Sequence, residues 1–213
     1  MRRLKEDVLQ DLPPKIIQDY YCDLSPLQVL LYEKSFSSAK TKSIVVSGST
    51  VEKNNPHVFQ ALQYLKKVCS YPALVVTPDH PKFADVEAYL KSLNSDLHDI
   101  QHTAKLVALR QLLLDCGLGL ISDESEIKTK SDILPGGAGQ HRVLLFAQSK
   151  HMLDIVEQDL LKTLLPSISY KRLDGTTASK DRYALTTEFN DDPTIDLLLL
   201  TTHVGGLGLN LTG

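Results

Sequence analysis

Three short strand candidates in the last third of the chain, the first and the third of them apolar, restrict its folding more than any other feature. They are Arg142-Val143-Leu144-Leu145-Phe146-Ala147, Ser169 to Leu173, and Ile195 to Leu200. The first is continuously apolar after its arginine and the third holds four consecutive leucines, which predicts strands covered on both faces. Between the runs lie segments of helical period, Met152 to Leu165 and Lys180 to Phe189. Strand–helix–strand–helix–strand in this order implies a parallel sheet joined by right-handed crossovers. The predicted fold class is α/β.

The preceding residues have a different pattern. Leu12-Pro13-Pro14-Lys15 forbids a continuing helix, so residues 1–24 read as a connector. Within it, the β-formers Ile16, Ile17, Tyr20 and Tyr21 predict a short strand over Ile16–Leu24 at a sheet edge. Ser25-Pro26 is a helix-start signal, Ser as N-cap and Pro at the first helical position, and opens a helix over 25–38. A second helix, His57 to Val68, places Val58, Leu62, Leu65 and Val68 on one face and stops at Ser70-Tyr71-Pro72. Asp85 to Leu93 and Leu106 to Cys116 follow, the latter ended by Gly117 and Gly119. Residues 25–116 are thus predicted to form a helical layer with Phe59, Tyr64 and Tyr89 in its core. Residues 117–140 lose periodicity and carry Pro135-Gly136-Gly137-Ala138-Gly139, which predicts a flexible insertion before the α/β core of 141–213.

Charge and composition exclude some functions. The balance of 23 Lys+Arg against 26 Asp+Glu, net −3, rules out a bulk-basic nucleic-acid binder but leaves room for a local basic groove. No apolar run reaches the roughly 18 residues of a membrane span, and Met1-Arg2-Arg3-Leu4-Lys5-Glu6 lacks the apolar stretch of a signal peptide. Cys22, Cys69 and Cys116 stand far apart, which suits a reducing compartment; no metal site is predicted. G-x-x-x-x-G-K-[ST], the phosphate-binding P-loop, does not occur in the sequence.

In an open parallel sheet, ligands bind at loops leaving the carboxyl ends of the strands. Here those loops are Gln148-Ser149-Lys150, Asp174-Gly175-Thr176-Thr177, and Thr201-Thr202-His203-Val204-Gly205-Gly206-Leu207-Gly208, all expected on one edge. Their hydroxyls, amides and glycine backbone suit phosphate oxygens. Gly205, Gly206 and Gly208 permit positive φ and close approach of a ligand, although such glycines also serve simple turns. Lys150, Lys171, Arg172, Lys180 and Arg182 flank the loops, as phosphate partners or as solvated surface. One enzyme class compatible with these loops is a Rossmann-type nucleotide-binding protein using Gly205–Gly208, with Asp174 on the ribose. The glycine loop, however, follows the last strand rather than the first.

The ordered motifs carry a resemblance. Leu12-Pro13-Pro14-Lys15, Leu24-Ser25-Pro26-Leu27-Gln28, His141 to Gln148, Leu173-Asp174-Gly175-Thr176-Thr177 and Thr202 to Leu211 together resemble the second RecA-like lobe of the Swi/Snf-type ATPases, a branch of the superfamily-two helicases. The phrases Asp19-Tyr20-Tyr21-Cys22-Asp23-Leu24-Ser25 and Thr201 to Gly213 are similar to its TATA-binding-protein-associated members.

The resemblance implies a RecA-like parallel sheet, truncated in the fifth motif, with an N-terminal helical layer. It implies a nuclear, ATP-driven translocase on duplex DNA that strips TATA-binding protein through regions outside this chain. DNA contact would fall to Gln148, Ser149, Gly175, Thr176, Thr202 and His203, and the nucleotide-facing side to Gly206, Leu207 and Gly208. ATP and Mg²⁺ would bind only together with a first lobe that carries the P-loop and the metal-binding acidic motif. An arginine motif that reaches the γ-phosphate follows in the family, so catalytic residues are expected to be absent here and the fragment inactive alone. A non-catalytic interaction fragment is the other reading. Most members carry Arg where this chain has His203, which implies a weakened phosphate contact. The missing continuation further implies that strand 195–200 has an unpaired edge.

Overall fold

The computed structural model describes residues 16–36, 56–119, 141–206 and 208–212. The proline connector Leu12–Lys15 and residues 120–140 of the insertion lie outside the described residues.

Among the described residues, four helices make the N-terminal layer: α1 (Pro26–Phe36), α2 (Pro56–Ser70), α3 (Phe83–Ser92) and α4 (Ala104–Asp115). Ser25 caps α1 as its sequence suggests, through a reciprocal capping box. Gln28 N donates to Ser25 Oγ at 3.2 Å, and Ser25 N donates to Gln28 Oε1 at 3.0 Å. Both side chains are buried and tie α1 to its neighbours. Ser25 Oγ donates to the His102 carbonyl at 2.6 Å, and Gln28 Nε2 donates to the Val68 carbonyl at 2.9 Å. Leu27, Leu31, Val68, Val76, Val86 and Leu90 form the core of this layer.

The end of α4 also follows from local sequence. Gly117 takes φ +82°, its N–H bonds Leu114 O at 2.9 Å, and Leu118 N–H bonds Leu113 O at 3.0 Å, with Leu113 and Leu118 both buried. That is a Schellman stop, and glycine is required because a Cβ disfavours this left-handed conformation.

The second half alternates strand and helix: β1 (Val143–Ala147), α5 (Lys150–Ile155), β2 (Tyr170–Leu173), α6 (Ser179–Asp191), β3 (Leu197–Thr201) and the single turn α7 (Thr202–Gly205). Beyond α5 the helix widens into a π segment, Val156–Lys162. The sheet is parallel, in the order β1-β3-β2. Alternation sends Leu197 and Leu199 of β3 into a core shared with α4, α5 and the π segment. Leu198 and Leu200 face the opposite side, against Leu173, Phe189 and Val204.

Four expectations are corrected by the packing. Ile16–Leu24 forms no strand: Ile16, Ile17, Tyr20 and Tyr21 are exposed, and none of the three strands takes this segment as a neighbour. β propensity reports a fit to a half-buried pleated surface, and nothing here supplies that surface. Strand β1 is only partly covered on its outer face, where Leu144 and Phe146 are 40% and 49% exposed. Strand β3 has no open edge; it is the central strand, buried at every position and paired on both sides. On α2 the inward residues are Leu65 and Val68, with Tyr64 beside them, whereas Leu62 and Phe59 point outward.

Candidate nucleic-acid interface

Parallel pairing brings the three strand-end loops to one edge. Ala147 lies level with Thr201, and Leu173 level with Leu200, so the chain leaves all three strands on the same side of the sheet. Gln148 and Ser149 are exposed there; Ser149 Oγ accepts from Met152 N at 3.2 Å and so caps α5. Gly175 and Thr176 are exposed on the second loop, and Thr202 and His203 on the third. Gly206 and Gly208 are exposed as well, while Leu207 lies outside the described residues.

The glycines have separate physical reasons. Gly208 alone among them takes a left-handed φ, +71°. Gly205 sits in the α7 turn, where a Cβ would stand 2.4 Å from the Phe146 ring. It is small because β1 approaches it, rather than for turning. Gly206 and Gly208 leave exposed backbone. The chain's sequence lacks a P-loop, and among the described residues no group of three His, Cys, Asp or Glu can hold a metal ion. His98 and His102 do have the four-residue spacing of a ligand pair, a spacing that the sequence reading passed over. Their rings go to different partners: His98 Nδ1 lies 2.9 Å from Asp159 Oδ2, and His102 Nε2 lies 2.9 Å from Ser95 Oγ.

Asp174 organises the second loop. Its Oδ1 accepts from Thr176 N at 2.8 Å and from Thr176 Oγ1 at 2.6 Å, while Oδ2 accepts from Arg172 Nε at 2.9 Å and Nη2 at 2.7 Å. Thr177 Oγ1 accepts from Asp174 N at 3.2 Å, and the Thr177 carbonyl accepts from Arg182 Nε at 3.1 Å. Burial would raise the Asp174 carboxyl, but the Thr176 bonds and the Arg172 guanidinium outweigh it and hold the group at about 2. With both oxygens engaged and the residue buried, Asp174 cannot take a ribose hydroxyl, which removes the basis of the Rossmann-type reading.

The flanking cations divide. Lys171 pairs with Glu188 of α6 at 2.7 Å. Arg172 faces the other way and bonds Asp154 Oδ1 and Glu157 Oε2, each at 2.7 Å, besides Asp174. Its protonated form is strongly held: desolvation opposes it, and the bonds to Glu157, Asp154 and Asp174 more than compensate. Lys150 and Lys180 are exposed and make no ion pair among the described residues. Arg142, read from sequence only as the start of a strand, closes the end of α6. It stacks on the Phe189 ring at 4.0 Å and donates to the carbonyls of Phe189, Asp192 and Ile195. The sequence reading missed the Arg172 and Arg142 roles. The signal for the first was present: Arg172-x-Asp174 at a strand end, opposite carboxylates three residues apart at Asp154 and Glu157.

Comparisons with known proteins agree with this architecture. Residues 1–74 match the SNF2-related domain, and residues 127–213 match the helicase conserved C-terminal domain. The whole chain is 58% identical over 224 residues to TATA-binding protein-associated factor 172 of Homo sapiens, covering 100% of this chain and 12% of that protein. It is 52% identical over 219 residues to TATA-binding protein-associated factor MOT1 of Saccharomyces cerevisiae, again covering 100% and 12%. The chain therefore spans about 12% of the length of these relatives. Among solved structures, the Sulfolobus solfataricus SWI2/SNF2 ATPase core domain matches with a TM-score of 0.62 at 21% identity, covering 100% of this chain and 36% of that one. The same ATPase core in complex with double-stranded DNA matches with a TM-score of 0.58 at 19% identity, covering 94% and 34%. At those identities the structures speak for the fold alone, a RecA-like parallel sheet with added helices. Two domain matches met in order along one chain, with whole-chain identity above half to a TATA-binding-protein-associated factor, show that the chain carries SNF2-related and helicase conserved C-terminal domain sequence.

Proposed function

We propose that this chain is second-lobe sequence of an ATP-dependent DNA translocase that removes TATA-binding protein from DNA in the nucleus and so regulates transcription. The observation that carries the DNA-contact part is the gathering of three polar, exposed loops on one edge of one parallel sheet. Gln148, Ser149, Gly175, Thr176, Thr202 and His203 offer that edge hydroxyls, an amide, an imidazole and open backbone, which grip phosphate oxygens without reading bases. The nucleotide-facing side falls to Gly206 and Gly208. When ATP and Mg²⁺ are bound with the first lobe, they supply the phosphoryl-transfer chemistry. The residues of this chain hold the tracking strand and close one wall. Relatives named as TATA-binding protein-associated factors support the partner, which docks through other parts of the protein.

The test uses the whole protein and a duplex of arbitrary sequence. Gln148→Ala combined with Thr202→Ala removes exposed groups that make no hydrogen bond among the described residues. The DNA concentration for half-maximal ATPase stimulation is expected to rise about threefold to tenfold, with an unchanged melting temperature. Binding of DNA by the 213-residue stretch alone is expected to be independent of sequence, with a log–log salt slope of about −3 if the loops hold about three phosphates. That stretch alone is expected not to hydrolyse ATP, because its sequence holds no P-loop to cradle the phosphates. Unchanged DNA stimulation in the double variant, or hydrolysis by the isolated stretch, contradicts the proposal.

A further inference from the structure

Arg172 joins two of the three loops, and it does so from behind. Strand β2 alternates, so Tyr170 and Arg172 face α5 while Lys171 and Leu173 face α6. From that position one guanidinium reaches three carboxylates: Asp174 at the head of the second loop, and Asp154 and Glu157 on the helix that Ser149 caps. Glu157 is the second residue of the π segment, and its other oxygen accepts from Tyr170 Oη at 3.1 Å and pairs with Lys162 at 2.9 Å. Arg172 is about 20% exposed and its donors are directed to these acids, so it is not available to a phosphate. Asp174 in turn holds Thr176 by two bonds.

We propose that Arg172 is a positioning residue for DNA binding, whose forked guanidinium holds the Ser149 helix start and the Asp174–Thr177 loop at one fixed separation. The inference rests on the DNA-contact reading given above. A fixed separation matters because phosphates along a strand are evenly spaced, and loops already set to that spacing lose less freedom on binding. Lysine keeps the charge but presents no planar fork, so it cannot serve three carboxylates in fixed directions.

The test again uses the whole protein, with a short fluorescent duplex and a fluorescent ATP analogue. Arg172→Lys is expected to raise the half-saturating DNA concentration about tenfold, with the ATPase rate at saturating DNA and the affinity for the analogue retained. Asp154→Asn, which cuts one arm of the fork, is expected to raise it about threefold. Hydrogen exchange in Arg172→Lys is expected to quicken together at 149–153 and 174–177, with β3 unchanged. Leu113→Ala, on the core face of α4, serves as a control that lowers the melting temperature without touching the fork. If Arg172→Lys leaves DNA affinity unchanged, or if Leu113→Ala weakens it as much at equal stability loss, the positioning role is wrong. If Gln148→Ala with Thr202→Ala has no effect on DNA, the DNA-contact reading fails and takes this role with it. An effect there beside an inert Arg172→Lys sinks the positioning role alone.

Discussion

Asp174 carries a titration that can be followed. Its folded pKa of about 2 lies below the ordinary carboxylate value of 3.8, because hydrogen bonds from Thr176 and Arg172 outweigh desolvation. A depressed acid stabilises the fold fully above its unfolded pKa and loses that contribution as pH falls through the folded value. The window here runs from about pH 4 down to about pH 2, and the contribution is on the order of 2 kcal/mol. Asp174→Asn leaves Arg172 short of one partner and is expected to cost about 3 kcal/mol near neutrality. Denaturant unfolding at pH 6 and pH 2.5 checks this: the gap between wild type and variant should narrow markedly at the lower pH. A gap that stays constant would show that Asp174 is not ionised against Arg172. Tyr71 illustrates the opposite case. Burial first, and Asp159 second, push its hydroxyl far above the ordinary tyrosine range, so it remains a donor to Asp159 Oδ2 at 2.9 Å.

The elements depend on their ends as much as on their faces. The α1 capping box lies inside the fold, where Ser25 both caps the helix and satisfies the His102 carbonyl, and Gln28 satisfies the Val68 carbonyl. Ser25→Ala therefore removes a cap and a cross-link together, and about 1–3 kcal/mol of stability should be lost. Denaturant titration measures it; a loss under about 0.5 kcal/mol would mean that the hydroxyl makes neither bond. The layer and the sheet also meet through Asp159 of the π segment, which takes bonds from Tyr71 and His98. The widened helix thus carries two acids used on opposite sides: Glu157 toward β2 and Asp159 toward the helical layer. Wide π turns are found at places where a helix must redirect side chains in this way.

Across the lobe, stability is graded by strand order. β3 is paired on both sides and buried at all five positions, whereas β1 has one neighbour and a half-open face. Amides of Leu197–Thr201 should therefore exchange only through global opening, and those of Val143–Ala147 by smaller openings and sooner. Native-state hydrogen exchange decides this; equal protection in the two strands would argue against the order β1-β3-β2. The same order leaves residues 195–200, expected to have an unpaired edge, paired on both sides, and puts exposed apolar surface at Leu144 and Phe146 of β1.

The parts legible in the sequence were those written by neighbours in the chain. Ser25 and Gln28 three residues apart make a cap, Gly117 after a leucine-rich helix makes a stop, and alternating strand and helix periods make a parallel sheet with its loops on one edge. Four leucines in a row announced burial on both faces of β3. The same signal misled for β1, whose run is as apolar but whose outer face stays partly exposed, because a strand's pattern records how apolar it is and not which strand lies beside it. Strand order, the partly exposed face of β1, and the fork from Arg172 to Asp154, Glu157 and Asp174 join residues well separated along the chain. They exist only once the crossovers have closed, since pairing and side-chain direction are set by the neighbours that folding brings together.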